Sequence, residues 1–243
     1  MTTHSVPELV TRLYANHLDV PLHVCDKVLN ETDNQGRTVL HYIAGGLTDS
    51  EGKYYDEDSC SAEAIQWLVS QNANLNAKDV TGKTALHYLV DRCSESPGKC
   101  YRALFERNSI LDCIAVLLRG KADPNVKDGC GLWPVARAVI FGATDVLNIV
   151  NTESNIDMDI TCGTRSRPCP LYTGVYEPLV EKYWLNKNIK FDGCTVDDFA
   201  TGHRNVIAAL KSMRATEVVL RRSSRTKRPT KEWCLSPQLA RSR

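Results

Sequence analysis

The sequence predicts an all-α solenoid of stacked antiparallel helix pairs with turn-built fingers, and three observations predict it. The decamer DNQGRTVLHY, Asp33 to Tyr42, recurs 46 residues later as DVTGKTALHY, Asp79 to Tyr88. After each copy comes an amphipathic run that ends in a polar turn, at 62–79 and 112–128. Weaker copies of the string open near Gly131, Cys169 and Asp192. Units repeated in this way bury their apolar faces only against one another, so a continuous core forms by stacking.

The first element in chain order is an N-terminal helical cap, residues 1–32. Pro7 starts an apolar face made by Leu9, Val10, Leu13 and Tyr14, and residues 21–30 suit a second short helix. Such a pair covers the open flank of a stack. Each copy of the decamer then reads as a tight turn followed by a helix. Asp33 and Gly36, like Asp79 and Gly82, are turn residues. Thr38 and Thr84 stand where a helix N-cap oxygen is wanted, each worth about 1 kcal/mol. His41 and His87 follow one helical turn later and read as internal hydrogen-bonding struts, since each recurs with its threonine and has no clustered partner.

A turn, a Thr-x-x-His helix start, a second helix and a finger make the chain resemble the ankyrin-repeat proteins. Val39 and Ala85 replace the proline of that family's helix start, whereas LLRGKADPNVKD matches its finger through Leu117, Leu118, Gly120, Ala122, Asp123 and Asn125. The resemblance implies an ankyrin-repeat domain over residues 33–215, about five repeats starting near 33, 79, 128, 160 and 192. In the third, Trp133 and Ala136 stand in the threonine and histidine slots, with Gly142 closing the inner helix and Asp145–Val150 supplying an outer one. Cys169-Pro170-Leu171-Tyr172 opens the fourth, and Asp192-Gly193-Cys194-Thr195 the fifth.

Helix starts at Thr38, Thr84, Trp133, Cys169 and Thr195 lie 46, 49, 36 and 26 residues apart. Against a unit of about 33, the first two carry insertions of about 13 and 16 residues. These are expected as adjacent long loops at 47–60 and 92–107, between inner and outer helices. The first is acidic around Tyr54 and Tyr55; the second carries Arg92, Lys99, Arg102 and Arg107. They are either tolerated solvated insertions or partner contacts.

Charge is distributed unevenly along the chain. The net charge is +1, yet residues 221–243 hold eight basic residues against Glu232 alone. Residues 216–243 read as a basic disordered tail. Arg221, Arg222, Arg225, Lys227, Arg228 and Lys231 resemble a nuclear-import signal, an extended basic strand for an import receptor, with phosphate contact, folding back on the acidic body and simple solubilisation as alternatives. Arg221 and Arg222 before Ser224 also resemble a basophilic kinase site.

Chemistry is not foreseen. The chain has no phosphate-cradling glycine loop, GxSxG elbow or HExxH helix, so an enzyme is disfavoured, with no catalytic residues and no cofactor. Ten scattered cysteines without a CxxC pair read as free thiols, and no metal is expected. No apolar run reaches bilayer length and the N-terminus lacks a hydrophobic signal core, so a cytoplasmic and/or nuclear protein without membrane contact is expected.

What remains is binding. The ankyrin resemblance implies that a partner protein lies across finger tips and inner helices. That carries over to Ala77, Lys78, Asp79, Val80 and Thr81 in one finger and Val126, Lys127, Asp128, Gly129 and Cys130 in the next. Tyr42 and Tyr88, one repeat apart, suit an aromatic contact stripe or packing between repeats. Asn125 resembles the finger asparagine that is hydroxylated in ankyrin repeats, and a hydrogen-bonding role is its alternative. A protein-binding scaffold or regulator is the reading favoured. The alternatives are an inhibitor or cofactor of a transcription factor, similar to the ankyrin inhibitors of Rel-type factors, and a substrate-recruiting adaptor of a ubiquitin ligase. Nucleic acid is not expected as the main partner.

Overall fold

A computed structural model describes Val10 and residues 28–45, 61–95, 101–154, 156–161, 193–200 and 204–226. The described residues are helical, with no strand among them. Unit one pairs α1 (Val39–Gly45) with α2 (Ala62–Ser70), and unit two pairs α3 (Ala85–Glu95) with α4 (Tyr101–Arg119). Unit three pairs α5 (Pro134–Phe141) with α6 (Thr144–Glu153), and the last described unit pairs α7 (Val196–Phe199) with α8 (Arg204–Thr226). Inner helices stack α1 on α3 on α5 on α7, and outer helices α2 on α4 on α6 on α8.

The apolar spacing of these helices fixes what they bury. Leu40 and Ile43 of α1, Leu86 and Leu89 of α3 and Val135 and Val139 of α5 are fully enclosed, as are Ile65, Leu68, Ile114 and Leu117 of the outer row. One continuous core therefore runs through the stack, from Val10 to Met213. Each such side chain contributes about 1.5–3 kcal/mol by leaving water. Local signals set the helix ends. Ser61 caps α2 by accepting from the Ala64 N–H at 3.2 Å, Pro134 opens α5 where no N–H partner is needed, and Gly142 ends it in left-handed geometry.

Three expectations change. Residues 92–107 are not a long loop: α3 runs on to Glu95 and α4 starts at Tyr101, so the second insertion is spent mostly on helix. The segment YRALFERNSIL is rich in good helix formers and makes up the first eleven of the nineteen residues of α4. The segment 47–60, with Tyr54 and Tyr55, lies outside the described residues.

The place of the Thr195 unit also changes: it stacks directly on unit three. Because α7 packs directly on α5 and α8 on α6, no complete helix pair separates the Thr195 unit from unit three. The expected repeat starting near 160, with its helix start at Cys169, falls on residues 162–192, which lie outside the described residues. The third change concerns the tail. α8 continues to Thr226, so residues 216–226 are helical, which places Arg221, Arg222, Ser224 and Arg225 on a helix and not on an extended strand. An amphipathic run that stacks on α6 nucleates the helix, and VVLRRSSRT extends it without Gly or Pro. Lys227, Arg228 and Lys231 lie outside the described residues.

Candidate partner-binding surface

The fingers are built from the turn aspartates upward. Asp33 accepts from the backbone N–H groups of Gln35 and Arg37, both at 2.8 Å. Asp79 accepts likewise from Thr81 and Lys83, and Asp128 from Cys130 and Leu132, at 2.8–2.9 Å. The second carboxylate oxygen takes a side chain nine residues on. That is the Tyr42 hydroxyl for Asp33 at 2.7 Å, the Tyr88 hydroxyl for Asp79 at 2.6 Å, and the Arg137 guanidinium for Asp128. Each of these three turn carboxylates is thus consumed internally.

Beneath each finger the threonine and histidine interlock. In unit one, His41 Nδ1 accepts from both the N–H and the hydroxyl of Thr38, at 3.1 and 2.9 Å. The ring proton must therefore sit on Nε2, which donates to the Lys83 carbonyl of the next unit at 3.1 Å. Unit two repeats this with Thr84, His87 and the Leu132 carbonyl. Burial pushes the His87 imidazole down to about 4 and lowers His41 as well, so both struts are neutral at physiological pH. In the last unit Asp198 replaces the histidine, accepting from the Thr195 N–H at 2.7 Å and its hydroxyl at 2.9 Å. In unit three the Trp133 indole fills the slot, fully buried, and its N–H has no acceptor among the described residues.

Neighbouring fingers are stitched through their backbones. The Val80 N–H donates to Gln35 at 2.9 Å and the Gly129 N–H to Thr81 at 2.7 Å. Gly82 has φ +78°, and a Cβ there would meet the Gly129 nitrogen at 2.6 Å, so fingers two and three approach as only glycine allows. Asparagines add a second row of stitches. Asn30, Asn76 and Asn125 each accept through Oδ1 from a backbone N–H of the next finger, those of Asn74, Asp123 and Asp157, at 2.9, 2.8 and 3.1 Å. Asn125 thus has the hydrogen-bonding role that was the alternative to its reading as a hydroxylation site. Asn30 shows that residues 28–32 end the cap in a finger, which the sequence reading missed. Its signal was there, since each of these asparagines precedes its turn aspartate by the same offset.

The expected contact residues fall into two groups. Tyr42 is 3% exposed and Tyr88 half-buried, each spent on a turn carboxylate, so they do not form an open aromatic stripe. Burial and the adjacent Asp79 carboxylate push the Tyr88 phenol well above its ordinary range. Asp79 and Asp128 are buried too. Lys78 and Val80 are exposed and Lys127 half-buried, and these do line the finger row. Lys78 Nζ donates to the Lys127 carbonyl at 2.9 Å, and Lys127 Nζ to that of Thr161 at 2.6 Å. Val80, 46% exposed, is a large apolar side chain left in water at a finger tip.

A buried ionic chain that sequence reasoning missed lies under fingers two and three. Lys83 Nζ reaches Asp91 at 2.9 Å, Arg137 Nη1 grips both Asp91 oxygens at 2.9 and 3.0 Å, and Arg137 closes on Asp128. Burial opposes ionisation of both carboxyls, but the Arg137 charge, with Lys83 beside Asp91 and the Leu132 N–H bonded to Asp128, holds them below the ordinary carboxylate range. Among the described residues no group of His, Cys, Asp or Glu is arranged to hold a metal ion, and no helix is long and apolar enough to cross a membrane.

No protein-family model and no curated protein matches the chain. A crystal structure of an ankyrin repeat protein, EF0377, is similar over 91% of this chain and 98% of that one, with 15% identity and a TM-score of 0.49. The repeat geometry itself decides the fold. Turn aspartate, threonine and histidine strut, paired helices and finger asparagine return in register and stack unit on unit, and the fold of this chain is an ankyrin-repeat solenoid.

Proposed function

We propose that the chain is a non-enzymatic protein–protein interaction scaffold or regulator, and that its partner protein lies along the finger row. The observation that carries this is the division of polar groups in the fingers. The turn carboxylates, histidines and tyrosines are consumed by bonds within the stack, whereas Gln35, Lys78 and Val80 stand exposed at successive tips. A buried, fully bonded set of ionisable groups has no proton to give to a substrate, while a rigid row of exposed tips gives a partner a pre-formed surface. The fold is one whose members typically bind proteins and lack catalysis. The double change Lys78→Glu and Val80→Asp tests the reading. Loss of a captured partner at unchanged unfolding temperature supports it; an unchanged set of captured proteins overturns it.

The basic segment from Arg221 onward is proposed as a nuclear-import address that acts apart from the finger row. The excess of basic residues there supports this reading. Deleting residues 221–243 is expected to leave the protein in the cytoplasm, and undiminished nuclear accumulation would exclude it.

A further inference from the structure

Two seams can be compared atom by atom among the described residues. Between units one and two run the His41 strut, the Val80 to Gln35 backbone bond, the Asn30 stitch and a bond from Arg92 Nη1 to the Ala44 carbonyl at 3.2 Å. Units two and three have the same three stitches, from His87, Gly129 and Asn76. They also share the buried chain Lys83, Asp91, Arg137, Asp128, which alternates in sign and crosses the seam once, between Asp91 and Arg137.

That crossing rests on two matched departures from the repeat. Arg137 takes the slot held by Tyr42 and Tyr88, and Asp91 takes the slot held by Gly45 and Ile140. A tyrosine satisfies a turn aspartate within its own unit. A buried guanidinium needs a second acid, and the neighbouring unit supplies it. With Arg137 2% and Asp91 4% exposed, neither end finds water when the units slide or part only slightly.

We infer that the ionic chain makes units two and three a single cooperative body, from which unit one opens separately. The reason lies in the cost of partial opening. Against well-packed apolar side chains a buried ion pair adds little net stability, but breaking it by separating its partners leaves charge uncompensated in a low dielectric. Intermediate states in which unit three detaches from unit two are therefore suppressed. Detaching unit one parts the bonds named above, which are neutral apart from the one from Arg92. Fingers two and three, which carry Lys78, Val80 and Lys127, are thereby held in fixed relation.

Native-state amide hydrogen exchange on the full chain tests this. Amides of α3 and α5 are expected to share one protection factor and one denaturant dependence, with those of α1 exchanging at least about tenfold faster. Equal protection in α1 and α3 together with lower protection in α5 overturns the inference. Arg137→Met sharpens the measurement: it is expected to split α5 from α3 by about a hundredfold, the scale of a broken buried pair. Arg37→Met, whose guanidinium bonds only within unit one, leaves their equality untouched. An equal loss of protection in every helix of the Arg137→Met protein means plain destabilisation and sinks the idea. If that variant does not fold, the wild-type comparison still decides.

Discussion

Units two and three build the same finger with opposite chemistry. Unit two holds its turn with a neutral phenol and its helix start with a neutral histidine, so Asp79 is satisfied by hydrogen bonds within its own unit. Unit three holds its turn with a buried guanidinium and its helix start with an apolar indole, so Asp128 is satisfied by charge, and that charge is shared with unit two. Local hydrogen bonding makes a unit that any neighbour can stack upon. Shared buried charge makes a unit that needs one particular neighbour.

The largest effect that tests this contrast comes from the turn carboxylates. Asp128→Ala leaves Lys83 and Arg137 facing Asp91 alone, a buried uncompensated positive charge, and is expected to cost about 3–5 kcal/mol. Asp79→Ala strands the Tyr88 hydroxyl and two turn N–H groups and is expected to cost about 1–3 kcal/mol. Urea denaturation of the two variants measures both. Equal costs, or the reverse order, would show that the two turns are not chemically distinct.

Acid separates the units next. The His87 imidazole, held at about 4 in the fold, takes a proton near 6.5 once unfolded. The unfolded chain then binds the extra proton, so stability is fully present above pH 6.5 and falls as pH drops towards 4, by about 3 kcal/mol at most. His41 acts in the same direction; unit three has Ala136 in that slot and contributes nothing there. Its carboxylates behave differently. Asp91 and Asp128, lowered in the fold, keep their contribution until the pH falls below the ordinary carboxylate value and lose it as they protonate. Unfolding free energies from pH 7 to 3 are expected to fall in two stages, and the first should shrink in a His87→Gln protein.

How far the sequence foretold this contrast depends on which contacts are local. The Thr and His strut, the turns and the inner and outer helices of units one to three follow from short-range patterns, and those were readable because capping and apolar spacing act within a few residues. The place of the Thr195 unit was not. CPLY looks like a helix start, and only the packing of α7 on α5 shows that the Thr195 unit stacks directly on unit three. Tyr42 and Tyr88 could be read two ways for a related reason. A tyrosine one turn into a helix looks available until the carboxylate nine residues before it is seen to fold back. Arg137 and Asp91 were missed because each is unremarkable alone; the pair exists only across a seam.

A smaller effect isolates the strut itself. Thr84→Val keeps the shape of the helix start but removes the hydroxyl that donates to His87 Nδ1 at 2.9 Å, and is expected to cost about 1 kcal/mol. Trp133 occupies the same slot in unit three with no hydroxyl to lose. Trp133→Phe removes an indole N–H without an acceptor among the described residues, so any loss comes from reduced packing and not from a lost hydrogen bond. Double-mutant cycles with His87 should therefore show coupling of about 0.5–1.5 kcal/mol for Thr84 and none for Trp133.

The smallest change in stability belongs to the finger tip, and there function and folding should part. Val80 is 46% exposed, and only its backbone N–H is engaged, on Gln35. Val80→Ser keeps that N–H, so unfolding free energy should move by no more than about 0.5 kcal/mol. If the finger row is the contact surface, the same change removes an apolar anchor between Lys78 and the third finger and weakens partner binding by about tenfold or more, read by titration against the captured partner. Lys78→Ala should add to that loss, with little coupling if the two side chains touch separate parts of the partner. A protein that keeps full affinity after both changes binds somewhere other than its fingers. The difference between units two and three would then bear on how the stack holds together and not on what it holds.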